Sequence, residues 1–135
     1  MSILAIDYGI KRIGIASTDE LKMFSHPIKQ IENISDDHSI KEILNILETR
    51  KIDLILVGIP FKSDGRLKIQ DYIEDFAKKL KKVIKIDIKF WDENFTTDEA
   101  ESFLISHDIS RKKRKKVKDM LSACKIIDSY LRSIK

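Results

Sequence analysis

The chain has 135 residues, of which 42% are hydrophobic and 36% charged, and its formal net charge is +4. This length and apolar content predict a single globular domain over residues 1–135 with a sizeable core. The longest uncharged run, Leu54–Phe61, is far shorter than the ~20 apolar residues that span a membrane. Cys124 is the only cysteine, which excludes an intrachain disulfide. We therefore expect a cytoplasmic protein with no membrane association.

The positive charge is concentrated in one short run, residues 111–118. Removing the seven basic residues of this run from the total of 26 leaves 19, against 22 acidic residues. Clustered cations bind nucleic acids by releasing counterions from the phosphates. One interpretation of the run is therefore a nucleic-acid contact, which Lys11 and Arg12 could extend. The other is a solvated loop. The run consists of Arg111, Lys112, Lys113, Arg114, Lys115, Lys116 and Lys118.

The first third of the chain predicts an antiparallel meander. Ser2–Ile6 and Ile13–Ser17 are short, isoleucine-rich strands, and the turn between them contains Gly9. Leu21–Ile31 has a weaker strand pattern, and its Pro27 suits an edge strand because proline cannot donate to a neighbour.

Helices and strands then alternate, which predicts a mixed α/β sheet with helices on its faces. Ser39 and Glu42 have the spacing of a capping box, so a helix is expected to begin there. The almost wholly apolar Ile52–Val57 suits a strand buried on both faces. The later predictions are a loop at Ile59–Lys68, a helix at Ile69–Lys82, a strand at Val83–Trp91, a short helix from Thr97 and a final helix at Val117–Ile134.

Four acidic residues lie where predicted strands end or a helix begins. Asp7 follows the first strand, Asp92 and Glu93 follow the fifth, and Asp119 is near the start of the last helix. Ligands of α/β sheets gather outside the carboxyl ends of the strands. Carboxylates brought together there would suit Mg²⁺ or Mn²⁺, and two such ions can assist phosphodiester cleavage. Taken singly, each acid could instead cap a helix or face solvent.

The first hairpin also allows a different class of protein. An Asp-x-Gly turn between two strands, here Asp7 to Gly9, binds phosphate in ATP-binding proteins of the actin and sugar-kinase class. Those proteins need two lobes and a second such hairpin, and 135 residues with no second copy argue against this interpretation.

Four blocks of the sequence resemble the YqgF family, also called RuvX. They are Asp7–Ala16, Val57–Pro60 with Gly65 following, Asp92–Glu93 with Thr96–Thr97, and Lys118–Asp119 followed by Ser122–Ala123, Ile126–Ile127 and Tyr130–Leu131. The chain departs from the family pattern at Ile10, usually threonine, and at Asn94 and Phe95, commonly arginine and leucine.

The resemblance implies an RNase H-like, Holliday-junction-resolvase-like protein. Its sheet would have three antiparallel strands and two parallel additions, with helices on both faces. It implies divalent-metal nuclease residues at Asp7, Glu93 and Asp119, with Asp92 assisting. The implied substrate is the 5′ end of pre-16S rRNA in ribosome biogenesis, or alternatively branched DNA; a non-catalytic nucleic-acid-binding module is a further alternative. Both a monomer and a homodimer are compatible with these expectations.

Overall fold

The computed structural model describes residues 2–22, 24–60, 68–92 and 111–134, with the backbone alone at 68 and 111–119. Within these ranges the chain forms a five-stranded sheet in the order β3-β2-β1-β4-β5, together with three helices. The elements are β1 Ser2–Asp7, β2 Arg12–Thr18, β3 Ser25–Glu32, α1 Asp36–Thr49, β4 Ile52–Ile59, α2 Lys68–Val83, β5 Asp87–Asp92 and α3 Arg111–Ser133.

Strand directions divide the sheet into two parts that meet at β1. β1 pairs antiparallel with β2, and β2 antiparallel with β3. β1 pairs parallel with β4, and β4 parallel with β5. The predicted arrangement of three antiparallel strands and two parallel additions is therefore confirmed. Because β1, β4 and β5 run in the same direction, their last residues meet at one border of the sheet, which we call the carboxyl edge.

Alternating side chains along β1 divide the core between the two faces of the sheet. Leu4 and Ile6 lie in a large cluster with residues of α1 and α2, whereas Ile3 and Ala5 pack with residues of α3. We call these the α1/α2 face and the α3 face. Helices thus cover both faces, as predicted. Cys124 belongs to the α3 face, where burial raises the pKa of its thiol to about 11.

Two strands begin later than their apolar patterns predicted. The turn before β3 uses residues of the expected strand, since Asp19 N donates to the Phe24 carbonyl at 3.2 Å and Lys22 adopts a φ of 56°. Pro27 does lie in an edge strand. β5 begins at Asp87 because Val83 is still the last residue of α2, where Lys81 and Lys82 suit the negative end of the helix dipole.

The predicted capping box of the first helix is wrong. Ser35 is the N-cap, and its Oγ accepts from the amide of His38 at 3.1 Å. Ser39 is fully buried one turn further on, where its hydroxyl donates to Asn33 instead. Spacing alone could not separate two serines that are one helical turn apart.

The last helix begins before its predicted start. α3 extends from Arg111, so the basic run forms its first two turns rather than a loop. The expected loop at Ile59–Lys68 and the short helix from Thr97 fall largely or wholly outside the described residues. Over the part of the chain that the structure describes, no helix has the length and hydropathy required to cross a bilayer.

Ser35→Ala should destabilise the protein by about 1 kcal/mol, because it leaves an amide at the start of α1 without its side-chain acceptor. Urea unfolding would measure this as a lower midpoint at unchanged slope. Ser133→Ala, at the exposed end of α3, is the control and should stay within about 0.5 kcal/mol of wild type. Equal midpoints for the two variants would contradict the assigned cap.

Candidate functional site

Asp7 is the last residue of β1 and has glycines on both sides. In the register of the sheet it lies directly opposite Gly14 of β2. On the other side Ile6 aligns with Val57, which brings Asp7 level with Gly58 of β4. Asp7 is only half-buried, whereas the residues before it in β1 are buried. A carboxylate therefore lies at the carboxyl edge, in the centre of the sheet, flanked in the adjacent strands by residues that have no side chain.

Strand alternation assigns Asp7 to the α3 face. It shares its parity with Ile3 and Ala5, which pack there against α3. Asp119 is a residue of α3 and precedes Ala123, a buried member of the same cluster, by one helical turn. β1 thus supplies Asp7, and α3, which packs on the same face of the sheet, carries Asp119.

Asp92 reaches the same edge of the sheet on the opposite face. It ends β5, where it pairs with Ile59 of β4, and its side chain is exposed. β5 and β1 both flank β4, so Asp92 and Asp7 are two strand spacings apart, or ~10 Å between backbones. Trp91 packs on the α3 face, so alternation assigns Asp92 to the α1/α2 face.

The described acids fit a divalent cation only as part of a larger set of ligands. Among the residues whose side chains are described, no three of the histidines, cysteines and acids come together as a metal site would require. Asp7 has the hard oxygen donors that Mg²⁺ or Mn²⁺ prefers. Glu93, the first residue after Asp92, lies outside the described residues.

Two of the predicted cations come shortly after Asp7, one in the turn between β1 and β2 and one at the start of β2. Lys11 is exposed, and Arg12 begins β2. The turn is tight at Gly9, because a Cβ there would lie 2.4 Å from the carbonyl oxygen of Arg12. The hairpin therefore brings Asp7 and these two cations to the same end of the strands. The remaining predicted cations, from Arg111 to Lys118, all lie in the first two turns of α3.

Two neighbours of this site had no signal in the sequence. Asn33 lies between β3 and α1, and its side-chain amide donates to the Gly9 carbonyl at 2.9 Å. Lys89 lies over the rings of Trp91 and Tyr130, with its Nζ 5.7 and 5.4 Å from their centroids. Each group joins residues from different elements, so periodicity within one element could not reveal it.

These features define an RNase H-like α/β protein, in which an acid ends the central strand of a mixed sheet of three antiparallel and two parallel strands. The family model of RuvX, described as Holliday junction resolvase, matches residues 1–133. The chain belongs to this family, as the resemblance of its four blocks indicated.

Relatives of similar length share more than a third of its residues. A protein of Clostridium acetobutylicum is 37% identical over 135 residues, covering 99% of this chain and all of that one. One from Endomicrobium trichonymphae is 38% identical over 131 residues, covering 96% and 94% of the two chains. Both are named "Putative pre-16S rRNA nuclease".

Solved structures of low sequence identity share the fold. The fowlpox virus resolvase in complex with substrate Holliday junction DNA has a TM-score of 0.65 at 15% identity, covering 99% of both chains. T. thermophilus RuvC in complex with a Holliday junction substrate has a TM-score of 0.56 at 16% identity, covering 98% of this chain and 96% of the other.

Gly9→Ala should destabilise the protein by about 1–3 kcal/mol, since the added methyl group would overlap the Arg12 carbonyl and force the turn open. The free energy of unfolding in urea would measure this loss. Ile10→Ala is the matched control, because Ile10 is 61% exposed in the same turn and its truncation should cost no more than about 0.5 kcal/mol. A Gly9→Ala protein as stable as Ile10→Ala would show that the turn does not require glycine.

Proposed function

We propose that this protein is a divalent-metal-dependent nuclease that hydrolyses phosphodiester bonds, and that its substrate is the 5′ end of pre-16S rRNA. The observation that carries the proposal is the position of Asp7, at the end of the central strand between two glycines. The names of the relatives support the same activity and substrate.

Asp7, Glu93 and Asp119 would hold the metal, with Asp92 in a lesser role. Asp7 and Asp119 belong to a strand and a helix that meet on the α3 face. Asp92 is the weaker candidate of the adjacent pair, because alternation assigns it to the other face. This supports Glu93 as the main ligand from that segment. Bound Mg²⁺ or Mn²⁺ would supply Lewis-acid stabilisation of the charge that develops on the phosphate oxygens.

The other residues of the site would bind and orient the nucleic acid. Lys11 and Arg12 lie at the same end of the strands as Asp7, so they would contact phosphates near the cleaved bond. Gly14 and Gly58 place no side chain beside Asp7 in the adjacent strands. The basic run at the start of α3 would contact the backbone of the substrate more widely.

Branched DNA is the second candidate substrate. It is favoured by the description of the family model as a Holliday junction resolvase. The nuclease names of the relatives argue against the third alternative, a binding module without turnover. Cleavage of precursor rRNA and of a four-way junction, assayed side by side at equal concentrations, would distinguish the two substrates.

Asp7→Asn should reduce Mg²⁺-dependent cleavage on the order of 1000-fold, because the amide loses the charge that holds the cation and metal catalysis supplies several kcal/mol. Binding of the same RNA in EDTA should change little, since Asp7 is proposed to hold metal rather than nucleic acid. Single-turnover cleavage and a filter-binding titration would measure the two quantities.

Asp87→Asn is the matched control for this experiment, because Asp87 is exposed at the opposite end of β5. It should cleave at the wild-type rate. Glu93→Gln should resemble Asp7→Asn, and Asp92→Asn should retain most of the activity. Wild-type rates in Asp7→Asn would refute the proposed site, and strong loss in Asp92→Asn alone would reverse the assignment within the pair.

Replacing Lys112, Lys113 and Lys116 with glutamine should weaken RNA binding and flatten its salt dependence. The logarithmic slope should fall by about 0.7 for each phosphate of a single strand that the protein no longer neutralises. Binding titrations at several salt concentrations would measure this slope. The control replaces Lys51, Lys82 and Lys85, which are exposed near the opposite edge of the sheet, and has the same change in charge. Equal slopes for the two triple variants would show that the basic run does not contact the RNA.

A further inference from the structure

Asn33 connects the turn after Asp7 to the first helix. It follows β3 and precedes Ser35, the N-cap of α1. Its side-chain amide donates to the Gly9 carbonyl at 2.9 Å, and its backbone amide donates to the Lys11 carbonyl at 3.0 Å. One residue therefore holds the turn on both sides of Ile10.

The side chain of Asn33 is itself held from the core. Its Oδ1 accepts from the hydroxyl of Ser39 at 2.8 Å, and Ser39 is fully buried in α1. This second bond fixes the orientation of the amide, so that its nitrogen faces the Gly9 carbonyl. The turn is in this way connected through Asn33 to the packed α1/α2 face.

Tyr8 attaches the inner part of the turn to the core, since its ring lies 5.0 Å from that of Phe76, but the outer part contributes little packing. Ile10 is 61% exposed and Lys11 is also exposed. Gly9 has no side chain, and the backbone at this point passes close to the Arg12 carbonyl. The hydrogen bonds from Asn33 thus attach the outer part of the turn to the rest of the fold.

We propose that Asn33 is a positioning residue. It fixes the turn between β1 and β2, and thereby orients Lys11 to bind a phosphate of the substrate beside Asp7. This inference rests on the proposed nuclease function and deepens it. A lysine on a mobile turn would lose backbone freedom on binding, and a turn that is already fixed avoids that cost. Asn33 itself would not touch the reacting atoms.

Asn33→Asp tests the inference, because it keeps the size of the side chain and replaces the donor to the Gly9 carbonyl with a carboxylate oxygen. We expect RNA binding in EDTA to weaken about 5- to 20-fold, the range expected when a partly buried hydrogen bond is removed. The slope of binding against salt should fall by about 0.7, the value for one phosphate that is no longer neutralised. Asn45→Asp, exposed in the middle of α1, is the matched control for the change in charge and should bind like wild type.

Lys11→Gln separates positioning from a general loss of structure. If Asn33 acts through Lys11, the double variant Asn33→Asp/Lys11→Gln should bind no more weakly than Lys11→Gln alone. Additive losses would overturn the inference. Ser39→Ala, which removes the donor to Asn33 and favours the helix, should weaken binding about 2- to 5-fold and is decisive if Asn33→Asp does not fold. Wild-type binding in Ser39→Ala would then overturn the proposal.

The outcomes also separate this inference from the proposed function. Normal RNA binding in Asn33→Asp, equal to that of Asn45→Asp, would overturn the positioning role while leaving the nuclease proposal intact. A wild-type protein that neither binds nor cuts the RNA would overturn both. Steady-state cleavage offers a second readout, in which Asn33→Asp should raise KM and leave kcat within about twofold, because Lys11 would stabilise the bound substrate and the transition state equally.

Discussion

The position of Asp7 depends on the complete burial of the strand that ends at it. β1 is paired along both of its sides and covered on both of its faces, so Ile3 to Ile6 have almost no access to solvent. A shift of its register by one residue would move each of these side chains to the opposite face and break the packing on both. The first polar side chain after it is therefore presented at one fixed point of the carboxyl edge. A half-buried carboxylate is stabilised by a positive charge close to it, which a bound cation would provide.

The two faces of the sheet differ in a way that suits their roles. The α1/α2 face is filled with large side chains such as Phe76 and Leu80, which make most of the core. The α3 face combines the small residues Ala5, Ala16 and Ala123 with larger ones such as Leu56, Ile126 and Ile127. Small side chains allow a helix to approach a sheet closely. This brings the helix that carries Asp119 onto the face to which Asp7 belongs.

The first two turns of α3 carry a concentration of positive charge. Lysines and arginines repel each other three and four residues apart, and cations near the N-terminus of a helix oppose its dipole. No acidic residue occurs in the first turn of α3 to offset them. Phosphates of a bound nucleic acid would relieve both effects. The same positive charge that disfavours this part of the isolated helix would favour its binding to nucleic acid.

Strong local patterns made much of the fold predictable. The isoleucine-rich hairpin, the buried β4 and the apolar stripe of α2 are each encoded in a few neighbouring residues, and the structure has them where they were expected. Boundaries were predicted less well, because they depend on contacts between elements. The N-cap of α1 is Ser35 because Ser39 bonds to Asn33 instead, and β5 starts at Asp87, with Val83 of the predicted strand in α2.

The sequence by itself determined the strands, the order of the elements, the acids that could form a site and the family to which the chain belongs. Only the tertiary structure decided that Asp7 lies between Gly14 and Gly58, that alternation separates Asp92 from it, and that Asn33 supports the turn beside it. The physical reason is the range of the interactions involved. Periodicity and turn chemistry act within one element, whereas strand register and hydrogen bonds between loops join residues that are distant in the chain.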